Sequence, residues 1–327
     1  MRILPVVPDT SDPSADEPPT RRRVGFLGPV GTFTEQALLT QPDLADAELV
    51  PLPTMADVLR ATDAGEVDVG FVAIENSIEG TVNVTLDTLA FDVDVLIQRE
   101  VVISVQQHLL ALPGTALSDL TSVISIPHAT AQCRRFLQQQ LPGVATRPAT
   151  STAEAARLVS EGGDRTMGAI ANGLAAEIYG LEVLAEEIED HPENQTRFVA
   201  TAVGTVPAPT GHDKTSLVVF QRADRPGSLL AILQEFAARS LNLTKLESRP
   251  TKQALGDYCF LLDLEGHVAD EVVADCLRAL HAKHADVKFL GSYPAAGEHG
   301  PATRRDRDAA TLAADEWLQS IRTLIQG

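Results

Sequence analysis

The stretch from Gly204 to Asp213, Gly-Thr-Val-Pro-Ala-Pro-Thr-Gly-His-Asp, divides the chain into two parts that follow different patterns. Each proline fixes its own φ and removes a backbone donor, so neither a helix nor a central strand runs through this segment. It reads as a linker, 204–213, and at 327 residues a two-domain chain is the natural expectation. Before the break, short apolar runs at Val24–Leu27, Val67–Ile74, Ser122–Ile126 and Gly168–Ala171 read as strands, several of them followed by helical text, which predicts α/β layering. After it, a strand over Ser216–Phe220 precedes a helix opening at Pro226, with Leu229, Ile232, Leu233 and Phe236 on one face. Strands over Leu241–Arg249 and Tyr258–Leu264 follow, then a helix marked by Val273, Cys276, Leu277 and Leu280, then a strand over Val287–Tyr293. The order βαββαβ is that of the ferredoxin-like split unit: a four-stranded antiparallel sheet with both helices on one face, leaving the other face open to pair with a second copy.

The two ends carry less pattern. Residues 1–22 are rich in Pro, Asp, Ser and Thr and read as a disordered leader. Within the tail, 295–327, Trp317, Leu318, Ile321, Leu324 and Ile325 fit an amphipathic helix over Ala309–Gln326. A formal net charge of −19 argues against a nucleic-acid partner, because a phosphate backbone demands a basic face. No apolar run approaches the roughly 18 residues of a membrane span, so no membrane is expected and the cytoplasm is the default location. Cys133, Cys259 and Cys276 are widely spaced and predict neither a disulfide framework nor a zinc site; His281 and His284 lack a third ligand in pattern.

Four segments carry candidate chemistry. Gly28-Pro-Val-Gly-Thr32-Phe-Thr-Glu35 is a glycine-containing turn between a strand and a helix, where free N–H groups and the helix dipole favour an anion; Thr32 with Glu35 is equally a plain capping box. Glu75-Asn76-Ser77-Ile-Glu79-Gly80 follows an apolar strand, at the carboxyl end where α/β sheets bind ligands, and Asn76 and Ser77 suit either a substrate oxygen or a turn. Ser125-Ile-Pro-His128 opens another helix, and His128 is a titratable candidate or a cap residue. Asn194-Gln-Thr196-Arg197-Phe198 enters a strand just before the linker: Thr196 offers a hydroxyl donor and Arg197 a carboxylate fork, though such a pair in a strand is commonly structural.

Taken in order and followed by the βαββαβ unit, these segments closely resemble the prephenate dehydratase family, whose hallmarks include the GPxGTFT, ENSxxG and NxTRF runs. The resemblance covers Val24 to Tyr293. It implies a two-lobed, periplasmic-binding-protein-like (type II) catalytic domain over 23–203, with one lobe at about 24–98 plus 190–203 and the other at about 99–189, and a cleft between them. An ACT regulatory domain over 214–294 follows. Three departures stand out: Ala73 replaces the usual Pro before Glu75-Asn76-Ser77, Ile126 and His128 alter the SHPQ run, and Ser228 and Leu230 alter the GALV run.

The implied reaction is prephenate to phenylpyruvate, in phenylalanine biosynthesis, with loss of carbon dioxide and water and no need of a metal or redox cofactor. Thr196 is expected to donate to the leaving ring hydroxyl, with Thr32, Asn76, Ser77, Arg197 and Phe198 binding substrate or bracing Thr196. Gly227, Leu229 and the Glu247-Ser248-Arg249-Pro250 run are implied as the site for phenylalanine, an allosteric effector, in a homo-oligomer, dimer or tetramer. Two rivals remain: a dehydratase acting on arogenate, and a non-catalytic amino-acid-binding regulator.

Overall fold

A computed structural model of the chain describes residues 21–221, 226–252, 257–283 and 285–297, with 316, 317 and 320–323 near the C-terminus. Residues 1–20 of the leader, His284 and most of the tail lie outside the described residues. Of the expected tail helix, Trp317 and Ile321 are described, both exposed.

The chain begins with β1 (Arg23–Leu27), α1 (Phe33–Leu39), α2 (Pro42–Ala45), β2 (Glu48–Leu52), α3 (Met55–Asp63), β3 (Val69–Asn76), β4 (Gly80–Thr81), α4 (Asn83–Phe91) and β5 (Val95–Ser104). A second set follows: β6 (His108–Ala111), β7 (Ser122–Ser125), α5 (Pro127–Gln132), α6 (Arg134–Gln140), β8 (Ala145–Pro148), α7 (Thr152–Gly162), β9 (Met167–Ala171), α8 (Gly173–Tyr179) and β10 (Glu182–Ala185). The chain then returns through β11 (Gln195–Val203), which inserts between β3 and β5. The first sheet runs β2-β1-β3-β11-β5, with β4 on β3, and the second β10-β6-β9-β7-β8. These are the two lobes. β5 runs past residue 98, where the sequence places the lobe boundary, because it pairs with β11 all the way to Ser104.

Local signals set the helix starts. Thr32, Thr54, Ser151 and Asn172 each accept from the backbone N–H three residues on, which satisfies one donor the first turn leaves open. β3 is an unbroken apolar run buried on both faces until Glu75 and Asn76, as a central strand should be.

The third sheet consists of β12 (Asp213–Gln221), β13 (Leu243–Pro250), β14 (Tyr258–Glu265) and β15 (Ala285–Pro294), ordered β13-β14-β12-β15, with α9 (Ser228–Ala237) and α10 (Glu271–Lys283) between them in sequence. Leu217, Val219, Phe260, Leu262 and Leu264 alternate toward the helices and meet Ile232, Phe236, Val273, Cys276 and Leu280.

The sequence led us to expect the opposite face of this sheet to be open to a second copy, but the first lobe covers it. Val218, Cys259, Leu261, Leu290 and Tyr293 join Val72, Ile74, Val95, Ile97 and Val199 of the first lobe in one continuous core. Each large side chain so buried contributes roughly 1.5–3 kcal/mol, so this contact is part of the fold and not a loose docking. The backbones approach closely here: Gly291, at φ +136°, lies against β5 so tightly that a Cβ would meet the Ile97 carbonyl oxygen at 2.5 Å. All three cysteines are buried, and loss of solvation pushes the Cys259 and Cys276 thiols up to about 11.

Candidate active site and effector site

Thr196 sits opposite Asn76 in the antiparallel pairing of β11 with β3, next to a register shift that places Phe198 opposite Ala73. Such a bulge re-aims the side chains at a strand end. The Asn76 Nδ2 donates to Thr196 Oγ1 at 2.9 Å, to Asn194 Oδ1 at 2.8 Å and to the Gln195 carbonyl at 3.1 Å. The Asn76 Oδ1 accepts from the backbone N–H of Ile78 at 3.0 Å and of Glu79 at 2.9 Å. Two donors on the oxygen fix the amide's orientation. Thr196 must therefore accept from Asn76, and its own hydroxyl proton is left to point elsewhere.

Around this pair, Ser77 Oγ accepts from the Gln195 N–H at 2.9 Å and lies 3.4 Å from Asn194 Oδ1. Asn194, only 2% exposed, reaches Gln132 of α5 at 3.4 Å, and Gln132 in turn donates to Glu79 at 3.2 Å. His128 Nε2 also meets Glu79 Oε1. Farther along, the Tyr179 hydroxyl of α8 donates to the Val30 carbonyl at 2.9 Å. These contacts join the two lobes along one line, where the cleft is expected, and Asn76, Ser77 and Thr196 lie beside it. Asn194, Gln132, Glu79 and Tyr179 were not singled out from the sequence. Asn194 was visible there as the first residue of its run, whereas nothing local to Tyr179 marks it.

Thr32 resolves toward its structural reading. Its hydroxyl donates to the Leu27 carbonyl at 3.1 Å and accepts from the Glu35 N–H at 3.3 Å, while the Glu35 carboxylate takes the Gly31 N–H at 2.5 Å. The turn's donor is satisfied by the chain's own carboxylate.

Two expected substrate residues lie away from the cleft: Arg197 because strand alternation turns it to the face opposite Thr196, and Phe198 because it packs into the first-lobe core below the register shift. Phe198 is 1% exposed and stacks on Phe71 with ring centroids 5.6 Å apart, so it is a core residue. Arg197 is turned toward the third sheet: Nε donates to Glu100 at 2.5 Å, Nη1 to Asp263 at 2.7 Å and Nη2 to the Tyr293 hydroxyl at 2.8 Å. These carboxylates hold its guanidinium charged against the cost of burial.

In the third sheet, Gly227, Ser228, Leu229 and Leu230 at the start of α9 face Ser248, Tyr258 and Phe260 across a cavity of about 470 Å³. Gly227 is the left-handed N-cap there, at φ +88°. Glu247 and Arg249 lie on the other face of β13. Glu247 meets the Thr81 hydroxyl, and Arg249 donates to Asp87 and Asn83, both at 2.7 Å. Pro250 ends the strand, exposed. The expected effector run is thus split by strand alternation, with Ser248 on the cavity, Glu247 against β4 and Arg249 against α4.

The family model for prephenate dehydratase matches residues 24–204, and that for the ACT domain matches residues 215–282. A curated prephenate dehydratase from Mycolicibacterium gilvum is 42% identical over 311 residues, covering 91% of this chain and 98% of the relative. The chain belongs to the prephenate dehydratase family. Among solved structures, the prephenate dehydratase of Arthrobacter aurescens in complex with L-Phe matches with TM-score 0.81 and 41% identity, over 92% of this chain and 99% of that one. A second, described as GqqA, a novel type of quorum quenching acylase, matches with TM-score 0.76 and 31% identity over 84% of this chain and 98% of that one. As in its relatives, the catalytic part is a two-lobed, periplasmic-binding-protein-like α/β fold joined to an ACT domain. In this member of the prephenate dehydratase family, Ala73 is buried in the first-lobe core, and its carbonyl accepts from Thr85 at 2.7 Å. A proline at 73 would leave that acceptor in place, so the departure is compatible with the site.

Proposed function

We propose that this chain converts prephenate to phenylpyruvate, with Thr196 as the donor to the departing ring hydroxyl. The C–O bond to that hydroxyl breaks as it takes up a proton, the bond to the ring carboxylate breaks with release of carbon dioxide, and the ring becomes aromatic. The observation that carries the reading is the fixed Asn76 amide: it donates to Thr196 and so leaves the threonine proton available to a substrate oxygen in the cleft. Ser77 and Asn194 hold the Gln195–Thr196 segment in place. Aromatisation supplies the driving force, and the protein's part is to orient the dicarboxylate and assist the leaving group.

In this reading, the catalytic part spans 23–203 and phenylalanine binds the cavity beside Gly227, Leu229 and Ser248 as feedback effector. Support for the effector comes from the L-Phe complex of the Arthrobacter aurescens relative. The exposed Leu230, Leu246 and Tyr258 beside the cavity suit pairing with a second copy, and the chain is read as a homo-oligomer. No described helix is long and apolar enough to cross a membrane, and a biosynthetic role in the cytoplasm accords with that.

The test is phenylpyruvate formation from prephenate, with arogenate assayed in parallel, on the whole chain and on Thr196→Ala. Loss of one acid-type donor should cost about 10² to 10⁴ in rate while the fold and substrate binding persist. Near-normal turnover by Thr196→Ala would sink the assignment; preference for arogenate would keep the site and change the substrate.

A further inference from the structure

Arg197 follows the proposed donor directly, yet its side chain is spent on the ACT domain. Its neighbours make a closed circuit whose directions are forced by chemistry. Arg197 Nη2 donates to the Tyr293 oxygen at 2.8 Å, and Ser216 Oγ donates to Asp263 Oδ1 at 2.5 Å. The 2.7 Å contact between Tyr293 and Ser216 is then donated by the tyrosine, and Asp263 Oδ2 closes the circuit on Arg197 Nη1 at 2.7 Å. Beside it, Glu100 of β5 takes both Arg197 Nε at 2.5 Å and Lys214 Nζ at 2.8 Å. One residue before Asn76, Glu75 meets Lys245 of β13 at 3.2 Å and Arg197 at 3.4 Å. The cluster balances three cations, Arg197, Lys214 and Lys245, with three carboxylates, Glu75, Glu100 and Asp263, and the Arg197, Glu100 and Asp263 side chains are 11%, 1% and 7% exposed.

We propose that Arg197 is a positioning residue: the circuit through Tyr293, Ser216 and Asp263 lets the ACT sheet hold β11, and with it Thr196, in register with Asn76. The inference rests on the assignment of Thr196 as donor. Substrate contact is not its role, since the fork is filled by protein groups on the far face of the strand. Burial of this ion cluster is costly unless every group is paired, so the arrangement has one well-defined geometry and loosens when a single member is removed. A loosened β11 shifts the Thr196 hydroxyl relative to the leaving oxygen, and small misplacements of a reacting group carry large rate penalties.

The experiment compares the full chain with Tyr293→Phe, Arg197→Met and Arg197→Lys by amide hydrogen exchange and steady-state kinetics. Tyr293→Phe keeps the ring in the shared core and removes only the hydroxyl link, so it serves if Arg197→Met fails to fold. Exchange at 195–198 should speed up about tenfold or more in Tyr293→Phe and Arg197→Met, with 167–171 in the second lobe unchanged. The kcat for prephenate should fall about 10- to 100-fold with little change in KM. Arg197→Lys, which restores the charge but not the fork, should recover part of the loss. Wild-type exchange at 195–198 in Tyr293→Phe overturns the proposal. If the wild-type chain fails to turn over prephenate while Tyr293→Phe still speeds exchange at 195–198, the dehydratase reading is refuted and the hold of the ACT sheet on β11 stands.

Discussion

The Asn76 side-chain amide donates to the Thr196 hydroxyl across the β3–β11 pair at 2.9 Å, while its oxygen is held by the Ile78 and Glu79 N–H groups. The direction of that hydrogen bond follows from the second half of the arrangement. Asn76→Asp keeps the shape and removes the donor, so the Thr196 proton should turn toward the new carboxylate. A fall in kcat of about 10² or more is expected, with some loss of stability from the Asn194 and Gln195 oxygens left facing an acceptor. Retention of wild-type turnover in Asn76→Asp would remove Thr196 from the donor role.

Phe198 belongs to the first-lobe core. Truncation to Ala removes a ring that is 1% exposed and stacked on Phe71, which should cost about 3–5 kcal/mol of unfolding free energy. Urea unfolding of the whole chain measures this, and the surviving folded protein should keep its KM for substrate. A raised KM with undiminished stability would return Phe198 to the substrate site.

Acid should weaken the contact between the ACT domain and the first lobe. Burial alone would raise the Asp263 pKa, but Arg197 and the Ser216 hydroxyl outweigh it and hold the carboxyl below the ordinary aspartate value. A depressed folded pKa means that the stabilisation is complete above about 3.9 and is lost as pH falls through the lower folded value. Calorimetry should therefore show no contribution from this group to pH dependence from about pH 5 to 8, and a decline below about pH 4 that Asp263→Asn makes shallower, the other depressed carboxyls such as Asp43 and Asp87 keeping their share. An acid limb of unchanged size in Asp263→Asn would contradict this.

Phenylalanine affinity should divide along the two faces of β13. Ser248 lines the cavity and Glu247 does not. Ser248→Ala should weaken binding about 3- to 10-fold, the worth of one ordinary hydrogen bond, whereas Glu247→Gln should leave the dissociation constant close to that of the wild type. Titration calorimetry separates the two, and the reverse order would move the effector to the α4 side.

The pattern of residues alone determined a good deal here. The element types after residue 213 were legible because helix and strand periods are local properties of the chain, whereas the line of motifs ending at Thr196 was legible only through resemblance to a family. For Asn76 and Ser77 the local pattern left a substrate contact and a turn equally open, because Asn and Ser serve both. The sequence led us to expect Arg197 beside Thr196 at the substrate, whereas strand alternation sends the two to opposite faces of β11. Arg197 meets Asp263, 66 positions along the chain, and Tyr293, 96 positions along, because the ACT sheet lies on the first lobe and not on a second copy. Phe198 went to the core for the same kind of reason, by stacking on Phe71 of a neighbouring strand. Strand alternation is written in the sequence, while the identity of the layer on each side is decided by packing between distant segments, where the burial of apolar area and the pairing of buried charge are settled together.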